Sequence, residues 1–335
     1  MSDTEFSFID HISQKKAGLF AFPDKLYVIT AVSNPIRYIS RYQHYKTFEK
    51  HITDSGAVLY TVELAFGDRP FEITTSSNPQ HIQLRTDNEL WYKENLINIG
   101  IRRLPLEANY IAYIDADMHF VKPTWAQETL QALQHYNFAQ LFSEIVQLSP
   151  KEEVMSHGVG FVESWNRGNE LKIRNHTISS KVLYKKRNKQ ISIPASYAGG
   201  GNLWTPGGAW AARRDALDAV GGLIDFSILG SGDWQMATGL YGLMDNILDK
   251  RFHPDYIRLL LDWQRKAVKN ARKDIGVVEG TILHYWHGKM RDRRYDNRND
   301  ILIKHQFNPV DDLRINSQGL YELDDDGTER FISFS

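Results

Sequence analysis

The chain has 335 residues, of which 42% are hydrophobic and 12% aromatic, enough for a substantial packed core and far from the composition of a disordered chain. Lys and Arg number 40 against 41 Asp and Glu, and the resulting net charge of -1 excludes a protein that coats polyanions with its whole surface, though not local basic patches. There is no cysteine, so disulfides, thiolate metal sites and cysteine nucleophiles are excluded together.

The first twenty residues carry Asp3, Glu5 and Asp10 and lack the basic start and apolar core of a signal peptide. No segment approaches the roughly 18 apolar residues needed to span a bilayer. A soluble, cytoplasmic protein is the expectation. Leu26 to Thr30 reads as a first buried strand, and Ser33, Asn34 and Pro35 mark the loop after it. Residues 36–51 suit an amphipathic helix, with Tyr38, Tyr42, Tyr45 and Phe48 at helical spacing. A second strand is expected over Ala57 to Glu63 and a helix over Asp87 to Gly100. Tyr110 to Ile114 then has the length and the aromatic and β-branched content of a buried strand. Thr124 to Tyr136 reads as a helix and Phe138 to Leu148 as one strand. From Ser149 to Pro194 the pattern weakens into polar residues, consistent with an extended excursion. Gly199 to Gly201 and Pro206-Gly207-Gly208 follow as a glycine-marked turn into a short strand and helix. Asp255 to Arg272 reads as a long basic helix, and Asp326-Gly327, between Leu320–Leu323 and Phe331–Phe334, as a hairpin.

Strands separated by helices imply an α/β fold with a mostly parallel central sheet. Ligands in such sheets gather at the carboxyl ends of the strands, where Asn34, Asp115 and Asp117 are expected. Asp115 and Asp117 end an apolar run one residue apart, so strand alternation directs both to the same side. Two close carboxylates repel unless a cation or a shared proton intervenes. A hard divalent ion such as Mg²⁺ or Mn²⁺ takes oxygen ligands and leaves positions open for substrate phosphates. The alternative is a strand that ends in a solvated polar turn.

Four blocks in order carry a resemblance. They are Asp115-Ala116-Asp117, the run from Pro206 to Arg214, Gly230-Ser231-Gly232-Asp233-Trp234, and the run from His284 to Lys289. Together they resemble the GT-A-fold nucleotide-sugar glycosyltransferases, the last blocks being similar to the carboxy-terminal part of galactosyl- and N-acetylgalactosaminyl-transferases. The resemblance spans roughly residues 25–305. It implies a single GT-A-like domain over 1–335, with a nucleotide-binding half (25–120), an acceptor and catalytic half (121–305) and a carboxy-terminal hairpin extension (306–335). It implies a nucleoside-diphosphate sugar donor, uridine-linked, held through Mn²⁺ or Mg²⁺ on Asp117 with Asp115 as second ligand or ribose contact. His284 and His287 compete for a further ligand position, the other packing beside Trp286. Lys289 and Arg291 would hold the diphosphate, and Arg293, Arg294 and Arg298 read as a solvated basic face. In the loop from Thr30 to Arg37, which would contact the nucleoside, Thr30 and Asn34 can bond a base or ribose and Arg37 can reach phosphate, and Glu63 would contact the ribose. Gly207 and Gly208 would let the donor sugar sit close, with Trp210 as its wall. Asp233 is the expected general base of an inverting transfer, or else a helix N-cap; the family pattern has two adjacent acids where this chain has Asp233-Trp234. Trp91 is expected in the core and Lys93 on the surface.

A sugar-1-phosphate nucleotidyltransferase shares this chemistry, but the loop at Ala31 to Pro35 lacks the usual glycine-rich, arginine-containing sequence. A zinc hydrolase would favour a His-Glu-x-x-His motif, which is absent. A nucleic-acid-binding protein is suggested by basic clusters at Lys181–Lys189, Arg265–Lys273 and Lys289–Arg298 near aromatic residues. Joined to sugar transfer, these raise 5-hydroxymethylcytosine in phage-type DNA as an acceptor beside a saccharide.

Overall fold

The computed structural model describes residues 24–168, 170–173, 176–179, 204–246, 248–288 and 298–324. Along the chain it gives β1 (Leu26–Ser33), α1 (Ile39–Asp54), β2 (Val58–Phe66), β3 (His81–Thr86), α2 (Lys93–Arg103), β4 (Tyr110–Ile114), β5 (Met118–Phe120) and α3 (Trp125–His135). Then come β6 (Phe138–Gln140), β7 (Glu144–Leu148), β8 (Val154–Gly160), α4 (Phe161–Asn166), β9 (Glu170–Ile173) and β10 (His176–Ser179). The last third holds β11 (Trp204–Thr205), β12 (Ala209–Arg213), α5 (Arg214–Val220), α6 (Gly232–Leu240), α7 (Pro254–Ala271), β13 (Gly276–Val277), β14 (Thr281–His284), α8 (Arg298–Lys304), β15 (Leu313–Ile315) and β16 (Tyr321–Leu323). None of the helices among the described residues is long and apolar enough to cross a membrane.

The fold is α/β. A seven-stranded sheet runs β13-β6-β12-β4-β1-β2-β3, with β1 parallel to both β2 and β4 and with β12 antiparallel to β4 and β6. All five residues of β4 are buried, because the sheet is covered on both faces and a polar side chain there would lose its water. One face packs Ile29, Val62 and Ile111 against α2 and the later helices. The other packs Val28, Leu59 and Ala112 against Tyr45, Phe48, Ile52 and Trp125 of α1 and α3. Gly100 sets how closely α2 lies on the sheet: a Cβ there would stand 2.7 Å from Ile29 Cγ2 and 3.0 Å from Val62 Cγ2.

A second sheet, β11-β8-β7-β14-β5, leans against the end of the first. Here β14 lies between β7, which it parallels, and β5, which it opposes, so that His284 stands beside Gln147 on one side and Met118 on the other. The expected single strand Phe138–Leu148 is therefore two strands in two sheets. Leu141 and Phe142 stay buried through the turn between them, and burial of both residues conceals the break from hydropathy. β3, β8, α4 and the β9–β10 hairpin are further elements that the sequence reading passes over.

Near the carboxy-terminal end, β15 and β16 form a hairpin. Tyr321–Leu323 pairs with Leu313–Ile315, whereas Asp326-Gly327 and Phe331–Phe334 lie outside the described residues. This hairpin is fastened to α2 and its surroundings by polar bonds. Asn95 Nδ2 donates to Gly319 O at 3.1 Å, the Tyr92 hydroxyl to Tyr321 O at 2.9 Å, and the Tyr321 hydroxyl to Asp225 Oδ1 at 3.2 Å. Arg85 and Gln318 exchange two more across the edge at β3.

Gly100→Ala should destabilise the protein by about 1–3 kcal/mol, since a methyl group there overpacks the helix–sheet seam. Denaturant unfolding checks this, and an unchanged midpoint would contradict the close approach.

Candidate active site

The carboxyl ends of β1 and β4, the turn before β12, the start of α2 and the start of α6 converge. β4 ends at Ile114, and the chain turns at once, with Met118 N–H donating to Asp115 O at 3.1 Å. That turn separates the two aspartates, and Asp115 and Asp117 acquire different neighbours.

Asp117 meets the histidines. His287 Nδ1 is 2.8 Å from its Oδ2, and His284 Nε2 is 3.7 Å from its Oδ1. One ligand atom from each of the three residues falls within 4.8 Å of the others. Both histidines are brought to the carboxylate. His284 Nδ1 lies 2.6 Å from Gln147 Oε1, a bond that orients the ring and leaves Nε2 facing Asp117. Although burial opposes ionisation, His287 and His284 hold the Asp117 carboxyl well below the usual carboxylate range. Its Oδ1 is nevertheless buried without a hydrogen-bond partner. A buried acceptor of this kind costs free energy unless something fills it, and a cation between two imidazoles and a carboxylate does so. The donor set fits a divalent transition ion such as Mn²⁺ better than Mg²⁺, which prefers an all-oxygen shell.

Asp115 is held elsewhere. Lys93, expected on the surface, points into the site and places its Nζ 2.6 Å from Asp115 Oδ1. Burial disfavours the lysine charge, yet Asp115, Asp233 and Glu94 hold its ammonium above the ordinary lysine range. Burial pushes the Asp115 carboxyl up; Lys93 opposes this, while the charges of Asp117 and Asp233 reinforce it. The backbone N–H of Asp115 donates to Gly208 O at 2.8 Å, tying it to the glycine turn.

Beside this pair lies a small cleft of about 20 Å³, lined on its polar side by Lys93, Glu94, Asp115, Gly207, Gly208 and Asp233 and elsewhere by apolar side chains such as Ile97, Leu223 and Met236. Trp210 also borders it but is mainly core, its indole N–H donating to Pro206 O at 2.7 Å. Asp233 is the second residue of α6 and does not cap it, the preceding Ser231 being the capping position with no side-chain bond. Its Oδ1 accepts from Trp234 N–H at 2.8 Å. Its other oxygen, Oδ2, lies so close over Gly207 that a Cβ there would collide with it. Glycine at 207 is what admits the Asp233 carboxylate to the cleft. Gly208, at φ +98°, completes a turn that favours glycine.

The remaining expected nucleoside contacts serve the protein's own backbone. Thr30 Oγ1 donates to Ile114 O at 2.8 Å, joining β1 to β4. The Asn34 side chain bonds both the N–H and the O of Tyr38, closing the turn into α1. Glu63 accepts backbone N–H groups from Glu72 at 2.7 Å and Thr74 at 2.9 Å, and so organises the loop after β2. Arg37 is exposed at the rim, 3.9 Å from Glu72. Lys289, Arg291, Arg293 and Arg294 lie outside the described residues. Arg298 is described, and its guanidinium stands 5.1 Å from the centre of the Trp91 ring.

Glu94 is the residue that sequence reasoning missed. A Glu in the first turn of a helix ordinarily reads as a favourable surface charge, and only the burial of the whole α2 start reveals it. Burial pushes its carboxyl up to about 7; Lys93 opposes this and Asp233 adds to it.

No family model matches the chain, and no curated protein matches it. Solved structures do. A variant of Drosophila β1,4-galactosyltransferase 7, in complex with manganese, UDP-Gal and xylobiose, is 12% identical, with 91% of this chain and 97% of that chain covered and a TM-score of 0.39. Staphylococcus aureus TarS in complex with UDP-GlcNAc is 10% identical over 81% of this chain and 61% of that chain, at a TM-score of 0.38. The 4-diphosphocytidyl-2C-methyl-D-erythritol synthase of Anaerococcus prevotii is 8% identical over 77% and 89%, at 0.32. These likenesses concern the layout of the chain alone.

The Glu94 carboxyl sits above its ordinary value of 4.5 in the folded protein, so the unfolded chain ionises first as pH rises. Stability should therefore fall between about pH 4.5 and 7 and level off above, with both states protonated below that window. Glu94→Gln should remove this loss, stabilising the protein by up to about 3 kcal/mol at pH 8 and little at pH 4. Thermal unfolding of both proteins at the two pH values is the measurement, and an equal difference at both would contradict the assignment.

Proposed function

We propose that this protein is a metal-dependent glycosyltransferase of GT-A type, moving a sugar from a nucleoside diphosphate, uridine-linked, to an acceptor hydroxyl. The observation that carries the proposal is the buried, unpartnered Asp117 Oδ1 facing His284 and His287, next to a glycine-walled cleft that contains Asp233. The motif blocks that resemble the galactosyl- and N-acetylgalactosaminyl-transferases contain these same residues. When bound, the ion supplies Lewis-acid neutralisation of the charge growing on a departing diphosphate.

The chain's own residues supply the rest. Asp117, His284 and His287 hold the ion, and Gln147 fixes the His284 ring. Lys93 neutralises Asp115, which the sequence resemblance assigns to the donor's ribose or to the ion, while Thr30 ties β1 to β4 and Asn34 and Glu63 hold the loops that follow β1 and β2 at the nucleoside end. Gly207 makes room for the Asp233 carboxylate and Gly208 for Met118, and the donor sugar is assigned to the cleft beside them, with Trp210 behind. Lys289 and Arg291 are assigned to the diphosphate by the sequence resemblance. Asp233 accepts the proton of the acceptor hydroxyl as that oxygen bonds to the anomeric carbon. The bond from that carbon to the diphosphate oxygen breaks, and its electron pair leaves with the diphosphate. A single in-line displacement of this kind inverts the anomeric configuration.

Release of UDP from UDP-sugars with Mn²⁺ present is the direct test, and release of inorganic pyrophosphate from a nucleoside triphosphate instead would indicate nucleotidyl transfer. Asp117→Asn should abolish Mn²⁺-dependent turnover and weaken Mn²⁺ binding by calorimetry by more than the roughly 10- to 100-fold that loss of a ligand's outer-shell partner costs. Retained metal-dependent turnover would refute the ligand assignment. Binding of Mn²⁺ should also weaken from pH 8 to pH 5.5, because protons compete for the imidazole lone pairs. Asp233→Asn should leave UDP binding in place and lower kcat by about 10²- to 10⁴-fold. A variant with normal kcat would reduce Asp233 to a structural residue.

A further inference from the structure

The cleft contains a carboxyl group that the transfer step above does not use. Glu94 is only 3% exposed on the first turn of α2, yet it lines the same space as Asp233, which arrives on α6. Its placement is fixed from two sides. Oε2 accepts the indole N–H of Trp91 at 2.9 Å, while Cδ and Oε1 press on Gly232, where a Cβ would stand 2.8 Å from each. Gly232 directly precedes Asp233, so two carboxyl groups from two helices meet at one wall of the cleft with a glycine between their supports.

Packing alone does not account for an acid in this position. A buried carboxyl with no cation committed to it is costly, and Lys93 is already engaged by Asp115. An apolar side chain would fill the volume at less cost. The groups that face Glu94 are Trp91 and Lys93 of its own segment and Asp233 across the cleft. Burial, opposed by Lys93 and aided by Asp233, keeps about half of it protonated near neutrality, and in that form it can both donate and accept a hydrogen bond, as a hydroxyl partner requires. Trp91 is 37% exposed beside it, with the Arg298 guanidinium 5.1 Å from its ring centre.

The geometry points to Glu94 as the second carboxyl group of the acceptor site, binding a hydroxyl adjacent to the one that Asp233 deprotonates. The acceptor is then a vicinal diol, part of a saccharide or polyol, and not an isolated hydroxymethyl group on a base. This inference rests on the transferase reading of the same cleft.

The test measures UDP release from UDP-galactose and UDP-glucose with Mn²⁺. Methyl β-D-xylopyranoside, methyl β-D-glucopyranoside, methyl β-D-galactopyranoside and their monodeoxy forms are added as acceptors. With the unmodified protein at least one parent glycoside accelerates release, and removing a hydroxyl next to the attacked one lowers kcat/KM about tenfold or more. In Glu94→Ala the same deoxygenation should cost less than about twofold, since its partner is already gone. Glu94→Gln keeps a side chain able to bond Trp91 and should show an intermediate penalty of about threefold. Mn²⁺-dependent UDP binding by calorimetry identifies which variants are folded, and the Gln variant carries the test if the Ala variant is not. Equal deoxygenation penalties with and without Glu94 overturn the inference while sugar transfer stands. UDP release that ethanol accelerates as strongly as every glycoside does, or that no glycoside accelerates, also overturns it. Absence of UDP release under every condition overturns the transferase reading, and the inference with it.

Discussion

Four carboxyl groups, those of Glu94, Asp115, Asp117 and Asp233, are gathered around the end of β4, where Lys93 faces Asp115 and two imidazoles face Asp117. Their mutual repulsion in a partly buried space is the constraint that the surrounding structure answers. Each acid has a different answer. Asp115 takes Lys93, Asp117 takes the pair of histidines, Glu94 is pushed toward its neutral form, and Asp233 is seated over a glycine at the lip of the cleft. Separating the acids in this way lets one small region hold a cation, orient a ligand and take a proton without the groups defeating one another.

Much of the layout is visible in the amino-acid order. Tyr110–Ile114 stands out because a strand covered on both faces is apolar throughout, and its limits agree with the structure. α3 and α7 are legible from the spacing of their buried residues, and α7 carries a proline at its first turn. β3 is legible in principle, since Ile82, Leu84 and Thr86 alternate with half-buried polar neighbours, but the alternation runs for only six residues among polar ones. The break between β6 and β7 was not legible. A turn that remains buried has no polar signature, and its hydrogen bonds go to distant partners such as Ala209 and Gly280.

The site divides the same way. Asp117, the two histidines and the glycine turn follow from residue type and order. The parting of Asp115 from Asp117 does not, because strand alternation applies only while the strand lasts and β4 stops at Ile114. Lys93 and Glu94 are hidden for a different reason. Charged residues at a helix start look like solvated ones in a sequence, and their burial is decided by α6 and the glycine turn, more than a hundred residues away. Thr30, Asn34 and Glu63 have the polarity of ligand contacts, but the backbone uses it first.

The hairpin of β15 and β16 has one last effect on this arrangement. It grips α2 through Tyr92 and Asn95, the residues flanking Lys93 and Glu94, and reaches Asp225 on the segment that leads to α6. During synthesis, both helices emerge from the ribosome well before Tyr321 does. The nascent chain can thus lay down its central sheet early, yet it lacks the brace that sets the two helix starts against each other until β15 and β16 have appeared.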